Sequence, residues 1–169
     1  DEGGGIITEP ISGIPGNFAM VGVFEKGKAD LLLTAKSNGG HASAPGKHTP
    51  IARLADFVSE MEHHDPFKKH MSQEVASMFE TLAPYASFPL KLVFGNLWLF
   101  KPLLVKVLPS ISSQAGAMLK TTIAFTMQKG SDAYNVLPQE ATLGANVRFI
   151  PHQGMDESLE IMRKRAQKH

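Results

Sequence analysis

The stretch Gly39-Gly40-His41-Ala42-Ser43-Ala44-Pro45 places a histidine between two glycines and a run of small residues. Glycine has no side chain to keep a ligand from the backbone. A histidine there can give a hydrogen bond or a proton at neutral pH. From these seven residues alone two readings stand: a surface turn with an incidental histidine, or a loop that meets a ligand. Other groups that could do chemistry are sparser. The chain has seven histidines and no cysteine, which excludes disulfides and thiolate metal sites. His63, His64 and His70 lie near one another, with Asp65 completing a His-x-Asp spelling at His63. They fall at the end of an expected helix, where a solvated helix end is the favoured reading over a metal site.

The elements that must position His41 follow from hydrophobic periodicity. Residues 1–17 are rich in Gly and Pro and read as a linker. Phe18 to Glu25 and Asp30 to Ser37 are strand-like runs around the Lys26-Gly27-Lys28 turn, so a β-hairpin is expected to deliver the chain into Gly39-Gly40-His41. Thr49-Pro50 reads as an N-cap with proline at the first helical position. Ile51, Leu54, Val58 and Met61 then form the apolar stripe of a helix over about 50–64. Short helical patterns broken by prolines occupy about 65–119, an expected helical insert with either its own core or an apolar pocket wall. Lys120 to Gln128 and Glu140 to Ile150 alternate as strands, and Met155 to Lys168 reads as a second amphipathic helix with Met155, Leu159 and Met162 inward. Acidic residues open that helix and basic ones close it, which suits the helix dipole. The order predicts an α+β fold: an antiparallel sheet of about four strands with two helices on one face, ferredoxin-like, plus the helical insert.

Composition sets the outer limits. The chain has 169 residues, 43% apolar and 20% charged, with a net charge of +1. That is ordinary for a globular domain with a real core, and the balance gives no sign of a nucleic-acid partner. The apolar run Leu92 to Phe100 is broken by Gly95 and Asn96 and followed by Lys101-Pro102, short of the ~20 apolar residues of a membrane span. The opening Asp1-Glu2-Gly3-Gly4-Gly5 reads as the start of an excised piece.

Four signatures in order, Gly22-Val23 through Glu25-Lys26-Gly27, Gly39-Gly40-His41-Ala42-Ser43, Asn135-Val136-Leu137-Pro138, and Asn146-Val147-Arg148 followed by Pro151, carry a resemblance. The chain resembles the lid, or dimerisation, domain of the zinc exopeptidases that include aminoacylases, carboxypeptidase G and carboxypeptidase S. Leu82-Ala83-Pro84, Phe88-Pro89-Leu90, and Asn96 through Leu104 make it most similar to the carboxypeptidase S branch, which includes enzymes that make and break N-fatty-acyl amino acids. Lys120 stands where that branch leads one to expect arginine. The family's lid also carries a further strand after its second helix, and this chain stops at His169.

The resemblance implies roles. His41 resembles the lid histidine that reaches into the partner subunit's active site and donates to the scissile carbonyl oxygen as it becomes an oxyanion. Asn135 resembles the lid asparagine that binds polar groups of the substrate. Arg148 resembles the lid arginine that grips the substrate carboxylate, a task suited to a planar bidentate fork. The bland alternatives are a turn histidine, an Asx-turn asparagine and a strand-surface arginine. The resemblance also implies two zinc ions in a parent protein, held by a catalytic domain that this chain lacks. Asp1, or its neighbour Glu2, resembles the acidic metal ligand that precedes the lid, with Asp1 the candidate and only in the full-length parent. On this reading residues 1–17 link a missing catalytic domain to a lid over 18–169, and the excised piece alone is inactive. The implied partners are a second copy, through the lid, and a small peptide or N-acyl amino acid substrate; neither nucleic acid nor a membrane is expected. Two rivals are a stand-alone ferredoxin-like module that binds a ligand or partner, and a membrane-surface protein using Leu92 to Val105.

Overall fold

The computed structural model describes residues 5–169. In chain order its elements open with β1 (Gly5–Thr8), β2 (Asn17–Met20), β3 (Gly27–Lys36) and β4 (Gly40–His41). The helices α1 (Pro50–His63), α2 (Gln73–Leu82), a 3-10 turn (Ala83–Tyr85), α3 (Phe88–Phe94), α4 (Leu97–Ile111) and α5 (Ser113–Ala117) follow. The chain continues with β5 (Thr122–Lys129), β6 (Val136–Leu137), β7 (Glu140–Phe149) and α6 (Met155–Ala166). The fold is α+β, and the elements divide between two compact units. One joins the stretch ending at Lys26 to Lys69–Lys120; the other joins Gly27–Lys68 to Thr121–His169.

The second unit is built on an antiparallel sheet of order β3-β7-β5. Strand β7 alternates strictly. Ala141, Leu143, Ala145, Val147 and Phe149 are buried, while Glu140 and Arg148 are exposed on the other face. That period of two is what a sheet covered on one side requires. Helices α1 and α6 cover the inner face through Leu54, Phe57, Met61 and Met162, which join the apolar side chains of all three strands in one core. Phe57 meets Phe125 edge-on, with ring centroids 5.9 Å apart, a geometry worth about 0.5–1.5 kcal/mol beyond the area it buries. A bulge between Phe125 and Met127 interrupts the ladder of β5 on β7.

Several expectations are corrected here. The sheet has three strands, because Phe18 to Glu25 does not pair with β3. Strand β3 pairs along its whole length with β7, from Gly27 opposite Phe149 to Lys36 opposite Glu140. The competing partner of β2 is closer in sequence: Gly5–Thr8, within the expected linker, forms β1 and pairs with it. The helix stripes also shift. Phe57 is buried on α1, where Ile51 is exposed, and Met155 is exposed at the start of α6. In α6 the inward position nearest Met155 belongs to Ser158, which is fully buried. Its hydroxyl donates to the Gln153 carbonyl at 3.0 Å. The buried Thr121 hydroxyl donates to the same carbonyl at 3.3 Å and accepts from the Ile150 N–H at 3.3 Å. A polar node thus holds the turn between β7 and α6, and each buried group in it finds a partner, as low-dielectric surroundings demand.

The first unit has its own core of Ile14, Met71, Phe79, Phe94, Leu97 and Leu119 with their neighbours. Ile14, from the stretch read as a linker, is fully buried in it. Phe79 and Phe94 pack with their rings tilted by 40° and their centroids 4.8 Å apart. The Ser72 hydroxyl caps α2 by accepting from the Val75 N–H. The apolar run of residues 92–100 is split at Gly95-Asn96 into α3 and α4, which meet at 105°. Helix α4 accommodates Pro102 and Pro109 within its length. Among the described residues no single helix is long and apolar enough to cross a membrane. Phe88 and Trp98 are largely exposed, at 78% and 81%.

Candidate functional site

Beyond the paired ends Lys36 and Glu140, the same two chain segments form a separate two-stranded ladder, β4-β6. The Ser37 N–H donates to the Gln139 carbonyl at 2.8 Å, and the Ser37 hydroxyl to the Pro138 carbonyl at 2.9 Å. The β4-β6 ladder sets Gly40 opposite Leu137 and His41 opposite Val136. The register slips by one residue across Ser37 to Gly40, and both glycines absorb the slip, with φ of +68° at Gly39 and +143° at Gly40. A Cβ on Gly39 would lie 2.7 Å from the Gln139 Cγ and 3.2 Å from the Leu137 carbonyl. The glycine pair is therefore a bulge that redirects the strand as it delivers His41.

His41 is exposed and its ring is held locally. Its Nδ1 lies 2.7 Å from the Ser43 hydroxyl and accepts from the Ser43 N–H at 3.2 Å. The Ala44 N–H donates to the His41 carbonyl at 3.1 Å, closing the turn. The Ala42 N–H donates to the Asn135 carbonyl at 3.0 Å, so the backbone brings Asn135 within one ladder step of His41. The Asn135 side chain is exposed and has no partner among the described residues.

Arg148 sits elsewhere on the outer face of the sheet, opposite Lys28 on β3. Its Nε donates to the Asn146 Oδ1 at 3.1 Å, and the Asn146 amide donates to Asp30 at 2.6 Å. Lys28 reaches Asp30 at 3.2 Å. The Asn146 hydrogen bond, and after it Lys28, hold the Asp30 carboxyl below its usual value. Asp30 therefore stays ionised and balances one of the two cations, leaving a net positive patch with the Arg148 fork oriented through its Nε. That arrangement suits a carboxylate. Sequence reasoning gave no role to Asn146, Asp30 or Ser43. The two-residue spacing of Asn146 and Arg148 was the available signal, since it puts them on one face of a strand.

The expected residues therefore form two groups, not one. His41 and Asn135 lie beyond the Lys36 end of β3, and Arg148 lies at its Gly27 end. Glu140 and Arg148 are eight residues apart on β7, roughly 27 Å at the rise of a strand. Asp1 lies outside the described residues. Among the described residues there is no group of three His, Cys, Asp or Glu that could hold a metal ion. The His63 Nδ1 is taken up by the Ser59 carbonyl at 2.8 Å within α1. The donor set of the described residues does not fit a zinc ion.

An α+β sheet with a glycine-bulged histidine hairpin at one end and an oriented arginine at the other defines the class. The chain belongs to the peptidase dimerisation domain family, whose model matches residues 23–169. It is 37% identical over 96% of its length to an N-fatty-acyl-amino acid synthase/hydrolase of Xenopus tropicalis, covering 31% of that protein. It is 34% identical over 95% of its length to a probable carboxypeptidase S-like protein of Dictyostelium discoideum, covering 30% of it. The human N-fatty-acyl-amino acid synthase/hydrolase is 34% identical over 95% of the chain, with 32% of that protein covered. The chain thus spans about a third of the length of these relatives.

Proposed function

We propose that this chain acts as the lid and dimerisation domain of a longer zinc-dependent exopeptidase or N-acyl amino acid hydrolase. In this reading residues 18–169 are the lid, the metals are held outside the described residues, and the chain by itself is inactive. Arg148 binds the free carboxylate of the substrate. His41 donates to the carbonyl oxygen as it gains charge, and Asn135 binds polar groups beside it. The separation of His41 from Arg148 is the observation that supports this most. One small substrate cannot span the strand between them, but two chains can each lend one end of the sheet to a shared site.

The open edges of the sheet suit that pairing. The further strand that the family resemblance implies after α6 would lie beside β3, because a right-handed crossover from β7 leads there. Strand β5, with α1 above it through Phe57 and Phe125, is then left to pair with a second copy. The test is kinetic, in the full-length enzyme. His41→Ala is expected to lower kcat by about 10²–10³, the usual loss for one oxyanion donor, with a smaller change in KM. Arg148→Ala is expected to raise KM, because its contact exists before the reaction begins. Full activity in His41→Ala would reject the role.

A further inference from the structure

Ser43 touches the His41 ring twice at the same nitrogen. Its hydroxyl lies 2.7 Å from Nδ1 and its backbone N–H donates to Nδ1 at 3.2 Å. A backbone N–H can only donate, so Nδ1 presents a lone pair and carries no proton in this geometry. The hydroxyl must then give its hydrogen to the same lone pair or leave the contact unmade. A neutral imidazole with Nδ1 unprotonated holds its proton at Nε2, and Nε2 has no partner among the described residues. The ring is thus presented as an Nε2–H donor facing outward, with its rotation fixed by two contacts from one residue. Gly39 and Gly40 aim the backbone, the Ala44 N–H closes the turn, and Ser43 sets the ring.

We propose that Ser43 is the positioning residue of His41, holding the neutral tautomer that donates from Nε2 and the ring orientation in which it does so. This rests on the reading of His41 as an oxyanion donor, and it adds what makes that donor preorganised. A donor free to rotate or to change tautomer must be ordered during the reaction, whereas one already held costs nothing at that moment.

Two readouts test it. The first is the nitrogen spectrum of the chain labelled with 15N-histidine, recorded above the range in which histidine titrates. His41 is expected to show a protonated Nε2 and an unprotonated, hydrogen-bonded Nδ1. In Ser43→Ala the Nδ1 resonance should move toward that of a free unprotonated nitrogen, and in Ser43→Thr it should stay. The second is turnover by the full-length enzyme. Ser43→Ala should lower kcat by about tenfold, the scale of one orienting hydrogen bond, with KM little changed and Ser43→Thr restoring the rate. A protonated Nδ1 in the parent chain, or an Nδ1 resonance indifferent to Ser43→Ala, would overturn the proposal. So would a spectrum that changes while kcat does not. Full activity in His41→Ala would instead remove the catalytic reading of His41, and the spectrum separates that failure from the failure of Ser43 to hold the ring.

Discussion

His41, on the two-stranded β4-β6 ladder past the Lys36 end of β3, and Arg148, near the far end of β7, are separated by about the length of β7, whereas His41 and Asn135 are one ladder step apart. The arrangement leads to a complementation experiment. In a dimer whose sites each take His41 from one chain and Arg148 from the other, a full-length His41→Ala enzyme and a full-length Arg148→Ala enzyme are each impaired at both sites. Mixed dimers of the two should regain one site with both residues intact. Activity of the mixture well above either variant alone is the expected result. No gain in dimers verified as mixed would place both residues in the site of one chain.

The glycine bulge makes a second prediction. Gly39 has φ +68° and a Cβ there would meet the Gln139 Cγ at 2.7 Å. Gly39→Ala is expected to cost roughly 1–3 kcal/mol from the left-handed backbone and the close contact. Gly46→Ala is the control, because nothing lies within 4 Å of a Cβ built there. Urea unfolding of the two variants checks the difference, and equal midpoints would show that the bulge is not strained by a side chain. Gly39→Ala should also disturb the amide resonances of His41 and Val136 more than those of the Arg148 group.

Glu60 makes a third, in acid. It accepts from the His169 Nε2 at 2.7 Å and pairs with the Arg165 guanidinium at 3.0 Å and Lys168 at 3.5 Å. The His169 hydrogen bond leads the causes that hold its carboxyl below the usual 4.5, with Lys168 and Arg165 adding to it. A carboxyl with a depressed folded-state pKa stabilises above its unfolded value and loses that contribution as pH falls through the folded one. Glu60→Gln should therefore be less stable than the parent chain above pH 4.5, with the gap closing as the pH is lowered below it. Thermal unfolding across that range measures the gap, and a constant difference would show that the ionised carboxylate is not its source.

Much of this protein is written in local patterns. The period-two run of Glu140 to Phe149 and the helical spacing of Leu54 and Met61 determine a half-buried strand and a covering helix wherever they are placed, because each has one apolar face to bury. The motifs around His41, Asn135 and Arg148 were legible in their order along the chain, which carries the family resemblance, and the roles proposed for them follow from that resemblance.

Pairing was decided only by the tertiary structure. Phe18 to Glu25 has strand character, but no local signal chooses between β1 and β3 as its partner. The choice fell to β1 because Ile14 and Phe18 pack with the first unit's core, while β7 takes the whole length of β3. Ser158 is a polar side chain at a fully buried position of α6, and it is satisfied because Thr121, far from it in sequence, converges with the nearby Gln153 carbonyl. The separation of His41 from Arg148 is of the same kind. Their motifs lie in order along the chain, but only the antiparallel register of β3 on β7 puts them about the length of β7 apart, since a strand's direction is set by its neighbour and not by its own residues.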